Sequence, residues 1–511
     1  MAGGARGRAA TSASCGNLTD PMRHYSDALD GTLLVRADAA RRERPWRRRL
    51  RGAAEWVAGK LDGSVWRDLR PGEVHDALLA DALLAVVPRQ AEGHAPPRVM
   101  HVIGSLAAGG AERQAVYVAR ETLARDVADA EIVVLNPLEG AARHYLPLAE
   151  AGRVPVRVAG SVADDAARAR LCADERLLRT LGAIDPAYRA WCVDLAGEIA
   201  ARKPSVVHAW LDHANVWAGI AALAMGVPRI VLSTRNVNPT HFPSLHGPYF
   251  GAWYRALARS ERVSFIANSR AGADDYAQWI GVDRARFRVV LNGFDADATK
   301  PGDSRGLEVL RRELGVSGRR VVLGVFRLSE EKHPLAWAEV ARRLLATHDD
   351  VVVLHAGDGP MRTALADAMA GVPSDRFRML GVRDDVGSLM AIAELVLHAS
   401  RKEGTPNALL EAQSLGCPVV ATAGGGTVDA VEDGGSGFLC AVDDVDGLTA
   451  RAESLLGDAA MRARMSVRAR EFVRERFGLA RMVDETLAAC GLPERHAAER
   501  GPSDAARGGG R

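Results

Sequence analysis

Two glutamates, Glu403 and Glu411, stand eight positions apart on either side of a predicted helix start. An apolar run at 394–398 precedes them and predicts a buried strand, and a second apolar run at 418–421 follows. The pattern is strand, loop, helix, strand. A helix that follows a parallel strand offers unpaired N–H groups and a positive dipole end, which favour an anion. Carboxylates at that position can accept hydrogen bonds from hydroxyl groups. The stretch therefore predicts a ligand that carries both phosphate and sugar hydroxyls.

The ends of this helix are indicated by three residues. Thr405 is suited to the N-cap and Pro406 to the first helical position. Gly416 is typical of a helix C-terminus. Glu403 then lies in the loop before the helix and Glu411 about 7–8 Å further along the helix axis.

Two cations, Arg327 and Lys332, follow another predicted strand at 321–325. The strands predicted in this half end in loops with Gly, Asp or Arg, and in a parallel sheet such ends share one edge. The residues expected on that edge are Arg327, Lys332, Gly357, Arg383, Glu403, Glu411 and Gly425. Arg and Lys together could neutralise a diphosphate leaving group in place of Mg²⁺. No metal is expected, because Asp295 and Asp297 form only an isolated D-x-D in an interdomain segment.

The first half also begins as a Rossmann-like unit, with a strand at 99–103, a glycine-rich loop and a helix at 111–123. G-x-G-x-x-G is absent, so no dinucleotide is inferred. Gly109 and Gly110 let the backbone approach a ligand or an opposing domain, or else form a tight packing turn. His213 follows a strand at 205–210 and precedes a predicted helix at 216–225. That position suits a ligand site and equally a hydrogen-bonded loop histidine.

Composition limits the class of protein. The 511 residues allow two or three domains, and a net charge of +2 gives no general case for nucleic-acid binding. Six scattered cysteines fit a reducing cytoplasm, and we expect no membrane span or signal peptide. Seven arginines within 41–51 predict either attraction to an anionic membrane surface or a solvated basic arm. We expect a cytoplasmic protein, peripheral to the inner face of the membrane if the arm binds lipid.

The aromatic residues are concentrated locally between 241 and 254, although they make up only 5% of the chain. The cluster could line an acceptor groove, contact lipid or pack as an ordinary helix face.

Roughly residues 98–490 resemble the retaining, nucleotide-sugar-dependent glycosyltransferases of family 4. The resemblance rests on Gly-Val-Phe-Arg-Leu-Ser-Glu-Glu-Lys-His at 324–333, Ala-Gly-Asp-Gly-Pro at 356–360, residues 380–386 and the stretch 403–422. Gly-Gly-Ala-Glu-Arg at 109–113 and Asn-Gly-Phe-Asp at 292–295 also match. The fold implied is α/β and GT-B, in which two Rossmann-like domains face each other across a cleft, here with an N-terminal extension.

The resemblance also implies roles for individual residues. Glu403, His213, Arg327 and Lys332 would be catalytic, with Arg327 and Lys332 on the donor diphosphate and Glu403 on the transferred sugar. Glu411 would bind the ribose hydroxyls, and Gly109 and Gly110 would face the phosphates. The donor-binding set is Arg327, Lys332, Gly357, Val382, Arg383, Glu403, Gly404, Asn407, Ala408, Leu409 and Glu411. Asn407 and its neighbours would offer backbone N–H groups, and Val382 and Arg383 would lie near the base.

Two departures from the family pattern stand close to this predicted site. Gly425-Gly426-Thr427-Val428-Asp429 replaces the usual Gly-Gly-x-Pro-Glu, so a shorter acid occupies its last position. Phe326 stands where the family usually has Gly before the Arg.

The predicted domains are a basic, partly disordered extension (1–96), an acceptor domain (97–293), a donor domain (294–475), a crossover helix returning to the acceptor domain (476–490) and a disordered tail (491–511).

The function implied is transfer of a sugar, of the hexosyltransferase type, from a nucleotide-diphosphate-sugar donor to a glycan, lipid-linked or other hydroxyl acceptor. Retention of anomeric configuration, no cofactor, no metal and a place in polysaccharide or glycolipid synthesis are expected. The alternatives are a non-catalytic binding or scaffold protein and another GT-B enzyme, such as a sugar-nucleotide epimerase or a phosphorylase.

Overall fold

The computed structural model describes residues 81–90, 96–161, 167, 171, 186–242, 246–247, 249–295 and 300–493. The basic stretch 41–51, most of the predicted extension and nearly all of the predicted tail lie outside the described residues. The described helices include none that is long and apolar enough to cross a membrane.

The first sheet has seven strands in the order β3-β2-β1-β4-β5-β6-β7. Its strands are β1 (Arg98–Ile103), β2 (Asp129–Val134), β3 (Val156–Val158), β4 (Val206–Trp210), β5 (Arg229–Thr234), β6 (Val263–Ala267) and β7 (Phe287–Val289). β1 pairs in parallel with both β2 and β4, so the chain reverses its direction of strand addition at β1. This is the doubly wound arrangement expected from alternating strands and helices.

The helices among these strands are α1 (Gly110–Ala124), α2 (Leu146–Ala151), α3 (Pro186–Arg202), α4 (Asp212–Ala224), α5 (Phe250–Ala258) and α6 (Arg270–Ile280). α1 was predicted at 111–123 and buries Ala115, Val118 and Ala119 as its pattern indicates. α4 begins at Asp212 rather than 216. His213 therefore lies in the first turn of the helix and not before it, because the chain turns at Leu211, a non-glycine residue with φ 70°.

The second sheet has six strands in the order β10-β9-β8-β11-β12-β13. They are β8 (Arg320–Val325), β9 (Val351–Ala356), β10 (Phe377–Gly381), β11 (Leu395–His398), β12 (Val419–Thr422) and β13 (Gly437–Cys440), and their pairings are parallel. The helices that follow are α7 (Ser304–Glu313), α8 (Pro334–Thr347), α9 (Arg362–Ala368), α10 (Val386–Ala391), α11 (Asn407–Ser414), α12 (Thr427–Ala430), α13 (Val445–Gly457), α14 (Ala459–Arg476) and α15 (Leu479–Ala489).

Both faces of the second sheet are buried. Val322 and Val353 belong to the apolar cluster on one face with Trp337, whereas Leu323 and Val352 belong to the cluster on the other face. Alternate residues of one strand thus enter opposite cores, as they must when helices cover a parallel sheet on both sides. The loops at the carboxyl ends of β8 to β12 lie at one edge of this buried sheet.

The chain divides into two compact units. Of the described residues, the first unit holds those within Met1–Ala107, Ala128–Leu232 and Tyr249–Ser264, and the second holds those within Ala108–Val127, Ser233–Pro248 and Phe265–Arg511. These limits differ from the predicted boundary at 293–294, since α1 and the segment around α6 and β7 group with the second unit. Within that unit the terminal helix α15 contacts α1, and Arg125 pairs with Asp484 at 2.5 Å.

Two further expectations about local structure are wrong. The segment from 295 to 306 was predicted to be loop-like, but α7 begins at Ser304, because the Asp303 side chain caps it by accepting from the Gly306 amide at 2.7 Å. At α11 the N-cap is Pro406, with extended ψ of 97°, rather than Thr405. The Thr405 hydroxyl is not available for capping, because it donates to the Asn268 carbonyl at 2.6 Å.

Candidate functional site

Glu403 is the most densely bonded acidic residue at the carboxyl edge of the second sheet. Its Oε1 accepts from Lys332 Nζ at 2.5 Å, Ser400 Oγ at 2.7 Å and His398 Nε2 at 2.9 Å. Lys332 ends a short 3₁₀ turn after β8, and His398 is the last residue of β11. Two adjacent parallel strands therefore deliver the cation and the imidazole to one carboxylate. Lys332 and Glu403, predicted to share this edge, form an ion pair.

Glu403 is ionised at neutral pH. The residue is 5% exposed, and burial alone would raise its pKa. The charge of Lys332 and the hydrogen bond from His398 outweigh burial and hold the pKa of Glu403 well below its ordinary value. The carboxylate can thus accept hydrogen bonds but has no proton to donate.

The glycine-rich loop after β12 supports the backbone of Glu403. The Gly426 amide donates to the Glu403 carbonyl at 2.9 Å. A Cβ on Gly426 would lie 1.7 Å from the Gly404 carbonyl oxygen, and one on Gly425, which has φ 60°, would lie 2.4 Å from the Glu403 carbonyl oxygen. Real Cβ atoms do not approach so closely, so glycine is needed at both positions. The predicted rim residue Gly425 is thus placed directly against Glu403.

Asn407 connects the start of α11 to other loops of the second unit. Its Oδ1 accepts from Asn292 Nδ2 at 2.7 Å, and Asn292 Oδ1 accepts from Arg235 Nη2 at 2.5 Å. A Cβ on Gly110 would lie 2.5 Å from Asn407 Nδ2. The two predicted site residues Gly110 and Asn407 therefore come close together, and the missing side chain at 110 permits it.

Two other predicted donor-binding residues lie in the first turn of α11. Ala408 is half-buried, whereas Leu409 is fully buried in the core beneath the sheet. Only the backbone of Leu409 can face a ligand.

Glu411 is paired with an arginine for which the sequence predicted no role. Arg113 Nη2 contacts Glu411 Oε1 at 2.7 Å, and both side chains are 15% exposed. Arg113 belongs to the Gly-Gly-Ala-Glu-Arg run, and its position four residues after Gly109 on α1 was the available signal. A Cβ on Gly109 would lie 2.1 Å from the Glu112 carboxylate, which is the far end of a flexible side chain and can move aside.

Arg327 and Gly357 lie on the loops after β8 and β9. Arg327 is exposed, and among the described residues its guanidinium has no ion-pair partner. Gly357 has φ 137°, and a Cβ there would lie 2.1 Å from the Phe326 carbonyl oxygen. Its amide donates to the Gly381 carbonyl at 2.7 Å. The loop after β9 is therefore packed against the residue that precedes Arg327.

Val382 and Arg383 lie on the loop after β10. Val382 is 76% exposed, which is unusual for an apolar side chain. The Arg383 guanidinium forms a two-point ion pair with Asp385, at 2.7 Å through Nε and 2.6 Å through Nη2. This hydrogen bonding raises the pKa of Arg383.

His213 belongs to the first unit. Its ring lies edge-on to Phe250 at 5.0 Å between centroids and contacts Tyr188 at 5.9 Å. Burial lowers the pKa of His213, so the ring is neutral at pH 7, and its Nδ1 has no hydrogen-bond partner among the described residues. Most of the aromatic cluster predicted at 241–254 forms core, since Phe250 and Tyr254 are fully buried and Tyr249 is half-buried.

Asp429, the shorter acid in the departure from the family pattern, is bonded to Arg270. Its Oδ2 accepts from the Arg270 amide at 2.8 Å, and Oδ1 lies 3.1 Å from the guanidinium. The carboxylate is buried, whereas the Arg270 side chain is 66% exposed. Asp429 thus anchors the first residue of α6. The described part of the chain contains no group of three His, Cys, Asp or Glu side chains placed to hold a metal ion; Asp297 lies outside it.

Comparison with known proteins agrees with this geometry. Residues 308–472 match the family described as glycosyl transferases group 1, and residues 108–298 match glycosyltransferase family 4. HepE from Anabaena, solved in complex with UDP-glucose, superposes with a TM-score of 0.62 at 25% identity, covering 77% of this chain and 99% of that one. The two doubly wound sheets and this likeness define a GT-B glycosyltransferase.

Relatives with assigned names point the same way. The Vi polysaccharide biosynthesis protein VipC/TviE of Salmonella typhi is 29% identical over 78% of this chain and 72% of its own. An Escherichia coli UDP-Gal:α-D-GlcNAc-diphosphoundecaprenol α-1,3-galactosyltransferase is 24% identical over 63% of this chain and 83% of its own. With both family patterns matched in order, the chain belongs to the family 4 glycosyltransferases.

Proposed function

We propose that this glycosyltransferase moves a sugar from a UDP-sugar to a glycan or lipid-linked acceptor in the assembly of a polysaccharide or glycolipid. The ion pair between Lys332 and Glu403, with exposed Arg327 nearby in sequence, is the observation that carries the proposal. UDP is favoured because UDP-glucose is bound in the HepE structure and UDP-Gal is named for the E. coli relative.

Each group has a part in this proposal. Arg327 and Lys332 neutralise the diphosphate, which accumulates charge as the bond to the sugar breaks. Glu403 Oε2 accepts a sugar hydroxyl, since all three described donors lie on Oε1. Glu411 binds the ribose hydroxyls, and the start of α11 offers backbone N–H groups to a phosphate.

We propose that transfer proceeds with retention and without a metal. The bond from the anomeric carbon to the phosphate oxygen breaks while the acceptor oxygen bonds to the same face. The acceptor proton passes to the departing phosphate oxygen. Such a reaction needs positioning and charge stabilisation rather than a protein nucleophile. Because Glu403 is ionised and bonded to Lys332, it is suited to holding the sugar rather than to donating a proton.

The test incubates the full chain with UDP-, GDP- and ADP-sugars in EDTA, with and without saccharide acceptors. We expect release of UDP from one UDP-sugar, unaffected by EDTA. The anomeric configuration of the sugar in the product, determined by NMR, should be the same as in the donor. If no nucleotide is released or bound, the protein is a scaffold. If the donor is isomerised without transfer, it is an epimerase. Loss of release in EDTA that Mg²⁺ restores would contradict metal independence alone.

A further inference from the structure

His398 is a buried histidine to which the family resemblance assigned no role. It ends β11, is 2% exposed and contacts Glu403 Oε1 through Nε2 at 2.9 Å. Lys332 and Ser400 contact the same oxygen. Of the three groups, His398 is the one carried by a strand of the sheet, which gives it the most fixed position.

The hydrogen-bonding pattern determines which nitrogen of His398 carries the proton. Nδ1 is buried and, within the described part of the chain, has no hydrogen-bond partner. A proton on that nitrogen would be a buried donor without an acceptor, which is costly. A proton on Nε2 instead is donated to Glu403 and avoids this cost. His398 is thus a directional donor.

Packing fixes the position of the ring. Phe326 lies nearly perpendicular to it, with centroids 6.0 Å apart, and itself packs against His355 at 4.6 Å. Trp337 Nε1 donates to the Leu397 carbonyl at 3.1 Å and so holds the strand just before His398. Phe326, the departure from the family's usual glycine, fills the space beside the imidazole.

We infer that His398 is a positioning residue, which holds Oε1 of Glu403 so that Oε2 is turned to a hydroxyl of the donor's sugar. This inference rests on the proposed function. Its consequence is a separation of effects: loss of the Nε2 donor weakens recognition of the sugar but not of the nucleotide. Of the nucleotide groups in the proposal, Arg327 and Glu411 make no described contact with His398. Lys332 shares Glu403 Oε1 with His398 but keeps its own ion pair with that oxygen when the imidazole is removed.

The experiment compares the wild type with His398→Phe and His398→Gln, using UDP and UDP-glucose, or whichever UDP-sugar the panel identifies. Calorimetry gives both dissociation constants, and UDP release gives turnover. For His398→Phe we expect UDP affinity within about twofold of wild type and affinity for the UDP-sugar, with turnover, about tenfold or more lower. His398→Gln retains an N–H donor and recovers part of the loss. His348→Phe, a histidine beside Arg320 near the start of β8, is the matched control.

A pH profile of turnover supplies a readout that a general loss of packing would not move. The charged or titratable groups that face Glu403 are Lys332 and His398, with His355 behind Phe326. Removing the His398 donor raises the pKa of Glu403, although Lys332 still holds it below its ordinary value. An acid limb set by protonation of Glu403 therefore lies at higher pH in His398→Phe than in the wild type. In His398→Gln the shift is smaller.

Three results would overturn the inference. One is equal weakening of UDP and UDP-sugar binding in His398→Phe. Another is that His398→Phe changes neither the acid limb of the pH profile nor the affinity for the UDP-sugar. That result would leave the proposed function intact. If the wild type binds and hydrolyses no nucleotide sugar, the proposed function fails and this inference fails with it.

Discussion

At the residue scale, the candidate site is organised around the ion pair of Glu403 and Lys332, whose two side chains are buried to different degrees. Glu403 is 6% exposed at its side chain and Lys332 is 22% exposed. Removing the lysine leaves a buried carboxylate without its cation, whereas removing the carboxylate leaves an ammonium that can reach water. Breaking a buried pair from one side commonly costs about 3–5 kcal/mol. The two halves of this pair should therefore respond differently to mutation.

We expect Lys332→Ala to lower the free energy of unfolding by about 3 kcal/mol and to abolish transfer. Glu403→Gln should abolish transfer with a smaller loss of stability, because the amide needs no cation. When Glu403→Gln is already present, adding Lys332→Ala should lower the free energy of unfolding by less than about 1 kcal/mol. Urea unfolding and UDP release measure both effects. Near-normal transfer by Lys332→Ala would remove the lysine from the proposed reaction.

At the element scale, the position of Glu403 depends on the loop after β12. Gly424, Gly425 and Gly426 each pass so close to the 400–404 backbone that a Cβ would overlap a carbonyl oxygen. The same loop leads to Asp429, which holds the Arg270 amide. Asp429, the shorter acid that departs from the family pattern, thus has a structural role, because it bonds to Arg270. The loop acts as a support beneath the glutamate.

Gly426→Ala tests this support. The added methyl must displace Gly404, so we expect a loss of about 1–3 kcal/mol in unfolding free energy together with a marked loss of UDP release. Gly457→Ala is the control, because it ends α13 with open space around it and should be neutral or stabilising by up to about 1 kcal/mol. Equal stability of the two variants in urea unfolding would contradict the contact.

Much of the second sheet could be predicted from the sequence, because apolar runs bounded by glycine and charged residues mark buried parallel strands. β8, β11 and β12 lie within a residue or so of the apolar runs predicted at 321–325, 394–398 and 418–421. β13 was missed, since four residues with two large apolar side chains give little periodic signal. The convergence of Lys332 and Glu403 followed from strand direction alone.

What could not be predicted is which polar groups pair. The bonds from His398 to Glu403 and from Arg113 to Glu411 join residues 5 and 298 positions apart. Side-chain partners depend on rotamers and on loop paths, which no spacing rule encodes. Thr405 shows the same limit, because its capping signal was present but a carbonyl distant in sequence, that of Asn268, took its hydroxyl.

At the scale of the whole molecule, each sheet buries a histidine that must stay neutral. Burial lowers the pKa of His101 on β1 to about 3 and that of His355 on β9 to about 4. An unfolded chain would protonate both near pH 6.5. Between about pH 6.5 and pH 4, unfolding therefore takes up protons that the fold excludes, and stability falls as pH falls.

We expect each histidine to lower the unfolding free energy by about 1.4 kcal/mol between neutral pH and pH 5.5. Thermal unfolding at pH 7.5 and 5.5 measures the loss. His101→Gln should reduce the difference between the two conditions, while His144→Gln, at an exposed position, should leave it unchanged. A pH-independent melting temperature over this range in the wild type would contradict the burial of uncharged histidines.

Trp337 gives the site an internal optical probe. Its indole is fully buried, its N–H is bonded to the strand residue just before His398, and its ring lies 5.7 Å from Phe326 and 5.6 Å from His355. An indole in so dry and fixed a place emits at short wavelength and responds to small shifts of its neighbours. Because the chain has nine tryptophans, the difference spectrum between wild type and Trp337→Phe isolates this emission. Motions beneath Glu403 can thus be followed in solution without an added label.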